Sequence, residues 1–189
     1  MASATTVPVG VQTNVSNATV AGWGFTECFS SKYSAATSSL LASELSGCSG
    51  DTLMIAARQT GSSVFTLLAA ASYNFLSTFT TSGNTTANEN GTEWYNRANY
   101  SFGFAGNGDS IDLYSCDRGS ANAHLRLCWH TGGAGGYRAG ATLRLNSSTA
   151  WEKVILSANV SPVPLPAAFP LLLVALGGLG FASRRRKTA

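Results

Sequence analysis

The residue types best able to do chemistry gather in one stretch of the chain. Cys116, His124, Cys128 and His130 offer two thiols and two imidazoles, a donor set that suits zinc. A single residue separates Cys128 from His130, however, where paired zinc ligands usually stand roughly two to four residues apart. Asp109, Asp112 and Asp117 carry the oxygen donors that calcium takes, but Gly108-Asp109-Ser110-Ile111-Asp112 lacks the full loop closed by a glutamate. A Ser-His-Asp set can be assembled from either histidine, many serines and these aspartates, yet no Gly-x-Ser-x-Gly elbow singles out a nucleophile. Gly132-Gly133-Ala134-Gly135-Gly136, followed by Tyr137-Arg138, could present a nest of N–H groups to an anion with Arg138 beside it. The spacing does not match a phosphate-binding loop, and a flexible turn between strands is the simpler reading. His130, Arg138, Asp109 and Asp112 remain as the candidate ligand site; no cofactor and no metal is expected.

Whether the thiols are free depends on the compartment, and the end of the chain bears on that. Ala167 to Ser183 is seventeen residues without a charge, followed by Arg184-Arg185-Arg186-Lys187. A helix needs roughly 17 to 25 apolar residues to cross a bilayer core, and a basic cluster after it stays on the cytoplasmic side. The tail therefore reads as a stop-transfer anchor over 168–183 with a basic tail over 184–189, and everything before residue 163 is expected outside. Met1-Ala2-Ser3-Ala4 has the small-residue pattern of a signal-peptidase site with no apolar stretch ahead of it, so residues 1–19 are read as a leader carrying the remnant of a signal peptide whose start lies upstream.

Charge supports this division. The formal net charge is +3, with twelve basic and nine acidic residues; four of the basic ones lie in 184–187, which leaves the body at −1. Nucleic-acid binding, which needs a basic patch on the folded domain, loses its compositional support.

Val163-Pro164-Leu165-Pro166-Ala167, a short apolar helix and a terminal arginine cluster, in that order, resemble the VPLPA-CTERM sorting signal, a variant of the PEP-CTERM signals of Gram-negative bacteria. The resemblance implies recognition by an exosortase-type membrane protease, removal of the tail, and delivery of the body from an inner-membrane anchor to the cell surface or an exopolysaccharide matrix. Residues 161–167 then form linker and sorting motif. More weakly, the body resembles an uncharacterised extracellular module, on Gly50 to Met54, Cys128 to Gly133 and Trp151 to Ile155; that likeness implies no activity.

Four cysteines in an exported chain favour disulfides. Of three possible pairings, Cys28 with Cys48 and Cys116 with Cys128 staple local segments and are expected.

The elements that position these residues follow from patterning. Val20 to Phe29 suits a bent strand, Ser34 to Leu45 a helix, and Leu53 to Ala57 with Val64 to Ala71 a hairpin of buried strands around Gln59-Thr60-Gly61-Ser62. Ser77 to Gly91 reads as a surface loop. Short strands are expected over Glu93 to Tyr95, Tyr100 to Phe104, Ser110 to Tyr114, Leu125 to Trp129, Tyr137 to Leu145 and Trp151 to Ala158. The fold class is mainly β: a single antiparallel sandwich-like domain over 20–160 with one short helix, plus the C-terminal transmembrane helix. Trp23, Trp94, Tyr95, Trp129, Tyr137 and Trp151 could supply a sugar-stacking platform. The expected function is that of a non-enzymatic surface or matrix protein that binds exopolysaccharide or neighbouring surface proteins. The alternative is a secreted hydrolase with a site near His130 and the acids from 109 to 117.

Overall fold

The computed structural model describes residues 5–133 and 135–160. The sorting motif Val163 to Ala167, the span 168–183 and the basic cluster Arg184 to Lys187 lie outside them. Among the described residues no helix is long and apolar enough to cross a membrane.

Two antiparallel sheets face each other. The first runs in the order β1 (Gln12–Ser16), β4 (Val64–Ser72), β3 (Thr52–Gln59), β11 (Trp151–Ala158), β2 (Thr26–Lys32). The second runs β10 (Thr142–Leu143), β9 (Gly136–Ala139), β8 (Leu127–His130), β7 (Ser101–Gly106), β6 (Thr92–Arg97), β5 (Ala87–Glu89). Their inner faces share one core: Leu53, Ile55, Leu67 and Ile155 from the first meet Trp94, Phe102, Phe104 and Trp129 from the second. The mainly β, sandwich-like fold class is thus observed. The β3–β4 hairpin forms as expected, with Leu53 opposite Ala71 and Ala57 opposite Leu67.

The apolar run Leu53 to Ala57 is nearly continuous because β3 is covered on both sides. Met54 and Ala56 belong to a second core on the outer face, with Val154, Leu156, Val20 and Phe25. What covers that face is the start of the chain. Thr6 N–H donates to Trp23 O at 3.0 Å and Gly10 N–H to Asn90 O at 2.8 Å, so residues 5–11 form a strap that then enters β1. A short helix α1 (Asn17–Gly22) follows, its first turn held by Thr19 N–H donating to Ser16 Oγ at 3.0 Å, which satisfies a donor the helix leaves open.

Several expected elements differ. The bent strand over Val20 to Phe29 is α1 followed by β2, because the Ser16 cap and the single buried face around Val20 favour a helical turn. Of the expected helix from Ser34 to Leu45, only a 3₁₀ turn at Ser39–Leu41 and one turn of α2 (Ala42–Leu45) form. Leu40 and Leu41 take left-handed conformations near φ +56°, and the upstream backbone is held elsewhere. Lys153 Nζ, fully buried, donates to Ala35 O and Thr37 Oγ1 at 2.7 Å each. Burial pushes the Lys153 ammonium down to about 8, with Glu44 countering in part. Glu44 in turn accepts from Ser38 N–H at 2.8 Å.

The surface loop over Ser77 to Gly91 contains the end of α3 (Tyr73–Thr78) and β5. The expected strand Ser110 to Tyr114 has only an isolated bridge between Leu113 and Asp117. Tyr137 to Leu145 is not one strand but the β9–β10 hairpin. Between β7 and β8 the chain makes an excursion, residues 107–125, across the outer face of the six-stranded sheet.

Candidate functional site

The expected disulfides are both present. Cys28 and Cys48 have Cα atoms 5.1 Å apart, Cys116 and Cys128 6.1 Å apart. The second pairing removes the two thiolates that a zinc site with His124 and His130 requires, so that reading of the cluster is overturned.

Cys116 is buried in the excursion and Cys128 in β8, so this bridge pins the excursion to the sheet. A buried ionic network lies beside it. Arg126 Nη1 stands 2.9 Å from Asp117 Oδ2, and Arg126 Nη2 stands 3.7 Å from Asp109 Oδ2. The same guanidinium donates to Ala121 O at 2.6 Å and Ser110 O at 3.0 Å. Arg138 donates to Gly119 O at 2.8 Å, Asp117 O at 3.1 Å and Gly140 O at 3.1 Å, with Asp117 Oδ2 at 3.9 Å. Burial lowers the Arg138 affinity for its proton, and Asp117 works against that. Tyr95, also buried, is pushed well above the ordinary phenol range by burial, with the Asp117 charge adding to it, while its hydroxyl donates to Leu127 O.

Of the four candidate ligand residues, two belong to this network. Arg138 and Asp109 are linked through Asp117 and Arg126, and both are engaged within the domain. Asp112 is exposed; its N–H donates to Asp117 Oδ1 at 3.2 Å and its carbonyl accepts from Arg118 N–H at 2.9 Å. His130 stands apart, its ring centroid 5.8 Å from that of Tyr137. Both ring nitrogens are shielded from solvent without a partner at hydrogen-bonding geometry. Burial lowers the His130 pKa, and the Ser115 backbone offsets only part of that. His124 is exposed on the far side of the excursion, beside Gly140 and Thr142.

The glycine run is a close-approach device and not an anion nest. A Cβ at Gly135 or at Gly136 would collide with Tyr33, and the N–H groups of Gly136 and Gly132 donate to Tyr33 O at 2.7 Å and Thr37 O at 2.8 Å. Tyr33 itself is buried between the sheets, accepting from Trp129 Nε1 and donating to Arg138 O, each at 3.1 Å.

The aromatic platform expected from the sequence is mostly core. Trp94, Tyr95 and Trp129 are fully buried, and Trp23, Trp151 and Tyr137 are half-buried. A different set of aromatics is displayed. Tyr114, on the crest of the excursion, is 76% exposed, with the Arg118 guanidinium 5.5 Å from its ring centre. Below it Tyr100 donates from its hydroxyl to Leu113 O at 3.2 Å and to Tyr114 O, while Arg97 lies 4.5 Å over the Tyr100 ring. Thr131 Oγ1 donates to Arg97 O at 3.2 Å, and Thr131 N–H to Tyr100 O, also at 3.2 Å, so the residue directly after β8 fixes the base of the face. Two guanidiniums on two phenol rings make a surface that can stack on an apolar ring face and pair with a carboxylate in its plane. Sequence reasoning missed Tyr100, Tyr114, Arg97 and Arg118. The cation–ring pairs Arg97–Tyr100 and Arg118–Tyr114 stand at separations of three and four, a local signal that the strand assignments of Tyr100 to Phe104 and Ser110 to Tyr114 concealed.

Fold and site together describe a disulfide-stapled β-sandwich module with a cationic aromatic face. Its tail gives the route: residues 162–187 match the PEP-CTERM protein-sorting motif, so the chain carries the signal of exported proteins that an exosortase recognises and processes. No match is found among curated proteins or among solved structures.

Proposed function

We propose that the chain is a non-enzymatic surface or exopolysaccharide-matrix protein. Its VPLPA-type signal, Val163 to Ala167, holds it at the inner membrane through the apolar span 168–183 until exosortase-type processing releases the body. The body binds an acidic polysaccharide on the face made by Arg97, Tyr100, Tyr114 and Arg118. The observation that carries this reading is the placement of two exposed arginines against Tyr100, whose hydroxyl and backbone are hydrogen-bonded, and against Tyr114, whose carbonyl accepts from the Tyr100 hydroxyl. The Tyr100 ring is already placed by its hydrogen bonds, which lowers the ordering entropy that this part of the face loses on binding. Guanidinium is the side chain that best matches a carboxylate's two oxygens, and phenol rings supply apolar area for the sugar's C–H face.

Binding of the processed surface form to an array of neutral and uronate-containing glycans tests it. Retention on acidic glycans, lost in Tyr114→Ala and in Arg118→Ala and weakened by salt, is the expected result. Equal binding by these variants removes the face from the proposal. Turnover of any glycan by the same preparation replaces the binding reading with a hydrolase. Mass comparison of the surface form with the full chain tests the processing step separately.

A further inference from the structure

The chain contains two Asn-Gly pairs, Asn90-Gly91 and Asn107-Gly108, and the structure treats them differently. Asn107 is exposed and Gly108 adopts φ +75°, in a turn closed by Asp109 N–H donating to Gly106 O at 3.0 Å. Gly108 N–H donates to Glu93 Oε1 at 3.1 Å. Asn88 Nδ2 donates to Asn107 Oδ1 at 2.8 Å and also to Glu93 Oε1 at 2.8 Å. Thr86 Oγ1 donates to Glu93 Oε2 at 2.7 Å. The nucleophilic backbone nitrogen is thus directed at a carboxylate, and the side-chain carbonyl it would attack is polarised by an amide donor. Among the described residues no acceptor holds the Asn107 Nδ2.

At the other pair, Asn90 Nδ2 donates to Pro8 O at 2.7 Å and to Ala70 O at 3.0 Å. Its amide is part of the clasp between the strap and the sheets.

We propose that Asn107-Gly108 is a built site of self-modification, in which Glu93 acts as general base and Asn88 as oxyanion donor for conversion of Asn107 to aspartate and isoaspartate. The bond between Gly108 N and Asn107 Cγ forms as the Gly108 proton passes to Glu93. Asn88 Nδ2–H stabilises the charge that develops on Oδ1. The proton then goes from Glu93 to the departing Nδ2, the Cγ–Nδ2 bond breaks, and ammonia leaves a cyclic imide. Water opens the imide at either carbonyl, giving aspartate or isoaspartate. Glu93 has the required protonation state: burial alone would raise its carboxyl, but the bonds from Asn88, Thr86 and Gly108 outweigh burial and hold it below the ordinary carboxylate range. The product places a second carboxylate beside Glu93. In its iso form it also lengthens the main chain in the turn that launches the excursion bearing Tyr114 and Arg118, so the binding face carries a clock.

The test is peptide mapping of the folded full chain, sampled over time at physiological pH. The Asn107 peptide is expected to gain the mass of an amide-to-acid exchange and to split into two species, while the Asn90 peptide stays unchanged. Glu93→Gln keeps an acceptor for Gly108 N–H but cannot take its proton, and slows the Asn107 reaction about tenfold or more. In denaturant the Asn107 peptide converts at the same rate in the natural chain and in Glu93→Gln. Conversion of Asn90 as fast as Asn107 in the folded chain overturns the proposal. So does an unchanged Asn107 rate in folded Glu93→Gln. If that variant does not fold, Asn88→Ala decides the matter: a slower Asn107 reaction supports the site, and an unaltered or faster one overturns it.

Discussion

The two outer faces of the sandwich are closed by different means. Over the five-stranded sheet, the strap, α1 and the turn after it lay Val7, Val20, Trp23 and Phe25 on Met54, Leu68, Val154 and Leu156, so the cover is held by apolar burial. Over the six-stranded sheet, residues 107–125 bring little beyond Ile111, Leu113 and Cys116 to the contact. A segment so poor in apolar side chains cannot offset its ordering entropy by burial alone. The disulfide to Cys128 and the Arg126–Asp117–Arg138 network take that role. The difference teaches where each kind of cover suits. An apolar cover is smooth and closed, whereas a cover pinned from beneath by charges and a covalent bond leaves its crest free to display polar and aromatic groups, as Tyr114 and Arg118 are displayed.

The largest expected effect breaks the network. Asp117 is completely buried and accepts from Asp112 N–H and Gly119 N–H besides its contacts with both arginines. Asp117→Ala removes the carboxylate shared by two buried guanidiniums, leaving Arg126 with Asp109 at 3.7 Å and Arg138 with carbonyl acceptors alone, and is expected to cost roughly 3–5 kcal/mol, read from the denaturant midpoint. Next comes the covalent pin. Replacing Cys116 and Cys128 by serine opens a loop of sequence separation 12 and is expected to cost about 3 kcal/mol on the chain-entropy account. Hydrogen-exchange protection should fall over residues 107–125 in both variants, with little change over 5–25. The other face is tested by Val20→Ala, which removes two buried methyl groups and is expected to cost about 2 kcal/mol. Its loss of protection should fall on the strap and α1. A variant that loosens both covers equally would end the contrast.

The sequence made this contrast only half visible. Leu53 to Ala57 and Val64 to Ala71 announced their hairpin because a run of buried side chains is a pattern in composition. The cysteine pairing was legible because short loops bring their ends together cheaply. Nothing in the spacing of Asp117, Arg126 and Arg138 reveals that one carboxylate serves two guanidiniums, since the partners meet only when β8, β9 and the excursion stack. Arg138 therefore looked like a free ligand residue beside a glycine run, when those glycines exist to let Tyr33 approach. Tyr114 was hidden for the opposite reason: it lies where a strand was expected and none forms, and Arg118 falls in the unassigned stretch that follows it. The tail, whose signal is linear, was the most legible part of the chain.

The smallest effect concerns acid. His130 lies at the border of the pinned face, beside Tyr137 and the Ser115 backbone, and burial holds its pKa below the ordinary 6.5. The unfolded chain then binds a proton at a pH where the folded chain does not. Stability is therefore full above 6.5 and declines as pH falls from there through the folded value. Glu93 and Glu152 titrate elsewhere. For each, burial favours the protonated form, but hydrogen bonds, joined at Glu152 by the charges of Arg58 and Lys32, outweigh it and keep the carboxyl below 4.5, so their contributions are lost only at more acidic pH. Thermal midpoints followed downward from neutral should show a modest decline before the carboxylates begin to titrate. His130→Phe, which keeps the ring against Tyr137, should flatten that first decline. A decline that persists in the variant would place the acid sensitivity outside this side chain, and with it outside the border of the pinned face.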